Sequence, residues 1–192
     1  MTAILVPSRR SFLSTSGKAT LSAAAIALLA GRPGLVSAAG TDMSKDVDIL
    51  NVALGLEHEA INAYQLGAGS GLLKKPVLDV AVLFQAHHKG HRDVLIATIE
   101  KMGGKPVMER SLDDYAKGLK ADTLKSQADV LSLAARLELG AANAYLGVIP
   151  SFKDPLLAQV AGRLAADETM HWTALSSALG RPLPGKSLSL GA

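Results

Sequence analysis

Apolar residues recur every three or four positions along four long segments, the spacing that lines one face of an α-helix. The first segment runs from about Asp46 to Leu66 and stops at Gly67, Gly69 and Gly71. The second runs from about Pro76 to Met102, with proline at its start and Gly103-Gly104 as its stop. The third spans about Thr123 to Val148. The fourth begins at Asp154-Pro155, a capping side chain followed by proline, and ends before Gly180. About 9 residues join the first pair of helices and roughly 6 join the last pair, both short enough for antiparallel hairpins. About 18 residues, including Gly104 to Ala121, separate the two hairpins, enough to run the length of a helix bundle. The predicted fold is all-α: four helices as two antiparallel hairpins joined by a long crossover, over residues 45–180. The stretch 181–192, with Pro182, Pro184 and Gly185, is expected to be a flexible tail.

Each apolar stripe is interrupted near its middle by a polar residue. The first reads Leu50, Leu54, Glu57, Ile61, Tyr64, and the third reads Leu131, Ala135, Glu138, Ala142, Tyr145. The second reads Val77, Ala81, Phe84, His88, His91, Leu95, and the fourth reads Leu157, Val160, Leu164, Glu168, His171, Leu175. Steps of three and four keep each set on one helix face, so antiparallel hairpins bring the interruptions to a similar depth.

The halves also repeat one another. Residues 56–64 and 137–145 agree at six of nine positions: Leu, Glu, Ala, Asn, Ala and Tyr. His91 follows Glu57 by 34 residues, and His171 follows Glu138 by 33. The chain therefore reads as two copies of one helical hairpin.

Composition agrees with helices. Hydrophobic residues make up 48 % of the 192 and aromatic residues only 4 %, with Ala and Leu dominant. The absence of cysteine excludes disulfides, iron–sulfur clusters and thiolate zinc sites. The formal charge of +3 belongs to the N-terminus: of 20 basic residues, Arg9, Arg10, Lys18 and Arg32 precede Ala39. The other 16 face 17 acidic residues, near −1, so no basic patch for nucleic acid is indicated.

That N-terminus is expected to be a leader over residues 1–39. Ser8-Arg9-Arg10-Ser11-Phe12-Leu13 resembles the twin-arginine export signal, and an apolar run, Ala19 to Ala30, follows it. The run is short of the roughly 20 residues of a membrane span, so no stable membrane anchor is expected. Val36-Ser37-Ala38 provides small residues for cleavage near Ala38. The resemblance implies the twin-arginine export machinery as a partner and the periplasm as the destination. That route carries already folded proteins.

Three carboxylates facing a core need compensation, because an unpaired buried charge costs several kcal/mol. No Lys or Arg lies on the stripes beside them. A divalent metal would supply the charge, and Glu with His suits iron, manganese or zinc. The candidate ligands are Glu57, His88, His91, Glu138, Glu168 and His171, holding one or two ions. His88 serves equally as a hydrogen-bonding core residue. His87 and His58 are expected at the surface or behind the ligands, Glu59 in solvent, and Trp172 in packing.

Glu on the first and third helices, Glu168-x-x-His171 on the fourth, and Tyr seven residues after a Glu resemble the ferritin-like di-metal carboxylate proteins. Leu50-Asn51-Val52-Ala53-Leu54-Gly55-Leu56-Glu57 is similar to the ferritin-like family that includes desiccation-related proteins and exported bacterial members. The resemblance implies a ferritin-like four-helix bundle. It implies Glu57 and Glu138 as terminal ligands, Glu168 as a bridge between metals, and His91 and His171 as ligands to one metal each. It also implies Tyr64 and Tyr145 as hydrogen-bond donors near the carboxylates, and Asp167 as a residue that orients a histidine. One departure stands out: His88 occupies the place of the second bridging Glu, and His87 the place matching Asp167. A neutral imidazole has one lone pair and cannot bridge two cations.

Two functional classes follow. One is a metal-dependent redox protein that handles oxygen or peroxide under oxidative stress, with iron or manganese favoured. The other is a degenerate bundle with a structural or stress-protective role. Iron storage needs a closed shell of many subunits, which nothing in the sequence reports; a homodimer is left open.

Overall fold

The structure, a computed structural model, describes residues 42–191; the expected leader lies outside them. Five α-helices follow in order: α1 Asp42–Gly69, α2 Lys75–Lys101, α3 Leu112–Gly118, α4 Gln127–Val148 and α5 Pro155–Ala178. Short 3-10 turns, Ala121–Thr123 and Ile149–Ser151, precede α4 and α5. There is no strand among the described residues.

The caps explain where the helices begin. The Asp154 carboxylate accepts from the Leu156 amide at 2.8 Å, as the Asp-Pro pair predicts. Ser126 accepts from the Asp129 amide at 3.2 Å and starts α4 at Gln127, later than the sequence spacing suggests. The residues just upstream turn instead through Ala121–Thr123 and leave helical geometry at Leu124, whose ψ of 123° is extended. Such a cap is worth about 1 kcal/mol, enough to choose between neighbouring start points.

Packing fixes the direction of each helix. One apolar layer gathers Leu50 and Leu54 of α1, Leu95 and Ile99 of α2, Tyr145 of α4, and Leu157, Ala161 and Leu164 of α5. The other gathers Tyr64, Ala81, Phe84, Leu131, Ala135 and Leu175. Early residues of α1 thus meet late residues of α2 and α4 and early residues of α5. Both hairpins are antiparallel, while α2 and α4 run the same way, so the connection between them must traverse the bundle. This is the two-hairpin, long-crossover topology expected from the sequence.

The crossover is not the bare loop that the sequence suggests. It contains α3, capped by Ser111 on the Asp114 amide, whose Tyr115 and Leu119 pack against Ala63 of α1 and Leu133 of α4. Asn51 pins the preceding stretch twice, donating to the Lys105 carbonyl at 3.1 Å and accepting from the Val107 amide at 2.7 Å. Gly104 is required there: a Cβ would lie 2.5 Å from Val47 Cγ1. The end of the chain also meets the bundle, for the Gly191 amide donates to Asn143 Oδ1 at 2.7 Å. No helix of the described residues is long and apolar enough to cross a membrane.

Candidate metal centre

Between the two apolar layers lies one polar layer. Glu57, His88, Glu138, Glu168 and His171 are each at most 1 % exposed, and His91 is 9 % exposed. The six candidate ligands from the sequence are thus brought together. They form two overlapping groups, Glu57-His88-His91-Glu168 and His88-Glu138-Glu168-His171, each with ligand atoms within 4.8 Å of one another. His88 and Glu168 belong to both.

The sequence repeat becomes a two-fold arrangement in space. The Tyr64 hydroxyl donates to Glu138 Oε1, and the Tyr145 hydroxyl donates to Glu57 Oε1, each reaching across to the other hairpin. His91 Nε2 lies 3.2 Å from Asp167 Oδ2, and His171 Nε2 lies 2.9 Å from His87 Nδ1. In each half, therefore, an outer residue holds the ligand histidine by Nε2 and turns Nδ1 inward. His91 Nδ1 faces Glu168 Oε1 at 3.2 Å, and His171 Nδ1 faces Glu168 Oε2 at 3.3 Å.

The shared positions are where the halves differ. His88 Nδ1 is 2.8 Å from Glu57 Oε2, and its Nε2 is 3.1 Å from Glu138 Oε1. Ionised carboxylates only accept, so both ring nitrogens must donate and His88 is an imidazolium in this arrangement. Burial alone would push its pKa down, but the bonds to Glu138 and Glu57 hold it well above the ordinary value. Burial would raise Glu57, yet the imidazoles of His88 and His91 outweigh it and hold the carboxyl at about 2. Glu138 is likewise held low against burial by His171 and His88. Burial is opposed at His91 too, where Glu168 and Glu57 lift the pKa to about 10.

Glu168 is the outlier. Both of its oxygens are buried and neither has a hydrogen-bond partner; His91 Nδ1 is likewise unpartnered. Burial dominates there and raises the Glu168 pKa. A carboxylate with no donor, faced by inward-turned imidazole nitrogens, is the arrangement that a cation satisfies. Glu57, His91 and Glu168 on one side, and Glu138, His171 and Glu168 on the other, fit a divalent metal by donor chemistry. His88 can complete either set but not both, since its deprotonated ring has a single lone pair.

One histidine sits where the sequence did not suggest. His58 is buried, outside the cluster, with Nε2 3.3 Å from the Val107 carbonyl of the crossover. Its place next to Glu57 in sequence turns it off the seam by about 100°. His87 is half-buried and directly on His171, behind that histidine as its match to Asp167 implies. Burial and the neighbouring His171 lower its pKa, which suits a neutral ring accepting from His171. Glu59 is half-buried rather than solvent-exposed, which raises its pKa. Trp172 packs in the second apolar layer, as expected. The stacking of Phe84 on His171, centroids 4.1 Å apart, went unremarked in the sequence; its signal was Phe84 one turn before His88 on the same stripe.

No curated protein and no solved structure matches the chain. The family model described as ferritin-like domain matches residues 45–181, all of the bundle but the first residues of α1. With that match spanning most of its length, the chain belongs to the ferritin-like domain family.

Proposed function

We propose that this is an exported ferritin-like protein that binds iron or manganese in its central polar layer and serves a redox role under oxidative stress in the periplasm. The observation that carries the reading is Glu168, a fully buried carboxylate with both oxygens unpartnered between inward-facing imidazoles. Glu57, His91 and Glu168 would hold one ion, and Glu138 and His171 with the shared Glu168 a second. When bound, such a metal supplies one-electron redox capacity in a site shielded from bulk water. The chain's own residues hold the ligands in place: Tyr64 and Tyr145 fix the terminal carboxylates, while Asp167 and His87 fix the histidine tautomers. Export by the twin-arginine machinery rests on Arg9-Arg10 and the apolar run behind them.

Elemental analysis of protein recovered from the periplasm after its own export tests this directly. Stoichiometric iron or manganese is the expected result. Metal-free protein that also takes up neither ion on titration would overturn the reading, and cytoplasmic retention of the folded chain would overturn its export half.

One observation favours a second reading, a metal-free bundle with a structural or stress-protective role. His88 donates to Glu57 and Glu138 at once, so three imidazoliums can balance three carboxylates without a metal. Under that reading Glu168→Gln leaves stability equal or higher whether or not metal is offered, because the change removes a buried charge without breaking a hydrogen bond.

A further inference from the structure

The second apolar layer is incompletely filled. A cavity of about 210 Å³ lies at that end of the bundle, among α1, α2, α4 and α5. Its volume is missing because the positions around it carry small side chains, among them Ala60, Ala81, Ala134 and Ala174. Close packing is the rule in interiors, and an unfilled void of this size forfeits dispersion contacts on every wall. An apolar cavity on the order of 150 Å³ stays dry and takes up benzene or xenon.

The cavity has an open side and a polar end. Pro76 and Val80 at the start of α2, with Ala174 and Ala178 near the end of α5, line it and are exposed, so they form its mouth. Tyr64 and Glu138 are its polar lining residues, both buried and bonded to each other. The rest of the wall is aliphatic, with Leu131 and Leu175 from the apolar layer. A peptide segment does not fit so small a space, and an ion or a sugar would find almost no partners on these walls.

We propose that this cavity is a binding site for a small apolar molecule, an aromatic ring or a short hydrocarbon chain, that enters between α2 and α5 and ends against the Tyr64–Glu138 pair. The binding itself does not depend on a metal. Only its significance rests on the metal-binding reading: Glu138 belongs to the candidate ligand set, so the buried end of the occupant abuts the polar layer, whereas its body stays in hydrocarbon-like surroundings. The site would thus deliver an apolar substrate, rather than a hydrophilic one, to the edge of the cluster.

Iodobenzene is the probe, because its iodine both scatters anomalously and quenches indole fluorescence. Trp172, the single tryptophan, packs in the same apolar layer and reports on the cavity. Full-length protein, with and without added manganese, is titrated with iodobenzene, and crystals are soaked in it. The expected result is saturable quenching of Trp172 in both forms and an anomalous peak within the cavity. Ala134→Leu and Ala174→Leu, one filling the wall and one the mouth, are each expected to abolish saturable quenching with the fold retained by circular dichroism. Absence of a cavity peak, or undiminished saturable quenching in both folded variants, overturns the proposal. Binding seen equally with and without manganese, in a protein that takes up no metal, would leave the cavity standing and remove only its link to metal chemistry.

Discussion

The two hairpins meet at the polar layer with some corresponding positions alike and others not. Glu57 corresponds to Glu138, His91 to His171, and Tyr145 to Tyr64, each in the same relation to its partners. At two further positions the α2 hairpin carries His87-His88 where the α5 hairpin carries Asp167-Glu168. The difference teaches what each kind of residue does in this layer. Glu168 is left without a hydrogen-bond donor, as a carboxylate that could take a cation, whereas His88 brings its own protons and binds two carboxylates at once. Glu168 offers the layer a ligand that could hold a metal, whereas His88 can neutralise the layer without one. A metal bound there would compete with protons for the same nitrogens.

Restoring the symmetry gives the largest effect. His88→Glu would remove the donor to Glu57 and Glu138 and add a fourth carboxylate to the layer. Removing one partner of a buried ion pair costs about 3–5 kcal/mol, so the metal-free variant should lose that much stability or fail to fold without metal. With metal, two equivalent bridging carboxylates become available, and the second ion should bind as tightly as the first. Urea unfolding in chelator and elemental analysis after metal loading measure the two parts. Metal-free stability unchanged by His88→Glu would mean that the imidazolium does not balance this layer.

The converse change acts on the other half. Glu168→Gln keeps the shape of the side chain and discards its charge. Since no hydrogen bond is lost, the metal-free protein should be equally stable or more so. The stabilisation gained on adding manganese or iron should fall sharply, because the ligand shared by both groups is gone. Thermal melting with chelator and with metal separates the two. A strong loss of stability in chelator would show that Glu168 is satisfied by protons, and the contrast with His88 would collapse.

Much of this contrast was legible before any coordinates. The four long helices stood out because each spans several turns, and their periodicity survives small errors at the ends. The short helix α3 did not, since seven residues give no readable period; its signal was Ser111 capping toward Asp114, with Tyr115 and Leu119 four apart. The six candidate ligands could be found because Glu and His interrupt apolar stripes, which is visible one residue at a time. What the sequence could not reveal is how His88 divides its protons. That depends on two distances across helices, to Glu57 on α1 and Glu138 on α4, and no spacing along the chain encodes them. His58 misled for the same reason: its partner, the Val107 carbonyl, is a backbone atom of the crossover.

A smaller effect compares the outer partners. Asp167 presents a carboxylate to His91, and His87 presents a neutral nitrogen to His171. Losing such a partner costs about 10–100-fold in metal affinity. Asp167→Asn should fall toward the upper part of that range, because it removes a charge that strengthens the imidazole as a ligand. His87→Asn should fall toward the lower part. Competition against a chelator of known affinity ranks the two, and a larger loss for His87→Asn would reverse the assignment of the Asp167 side as the tighter one.

The last and mildest test is the pH dependence of the metal-free protein. Glu57 is held at about 2 against an ordinary 4.5, so its contribution to stability is complete above 4.5 and lost as the pH falls through about 2. His91 is lifted from 6.5 to about 10, so its contribution is complete below 6.5 and lost as the pH rises through about 10. The metal-free protein should thus be most stable between pH 4.5 and 6.5 and should weaken steadily above that window. Metal reverses the alkaline limb, because coordination needs the deprotonated imidazole and loading releases its proton. Melting temperatures followed across pH, in chelator and in manganese, should diverge above pH 6.5. If the two curves stay parallel there, the histidines are not shared between protons and metal, and the inequality of the two halves has no consequence for binding.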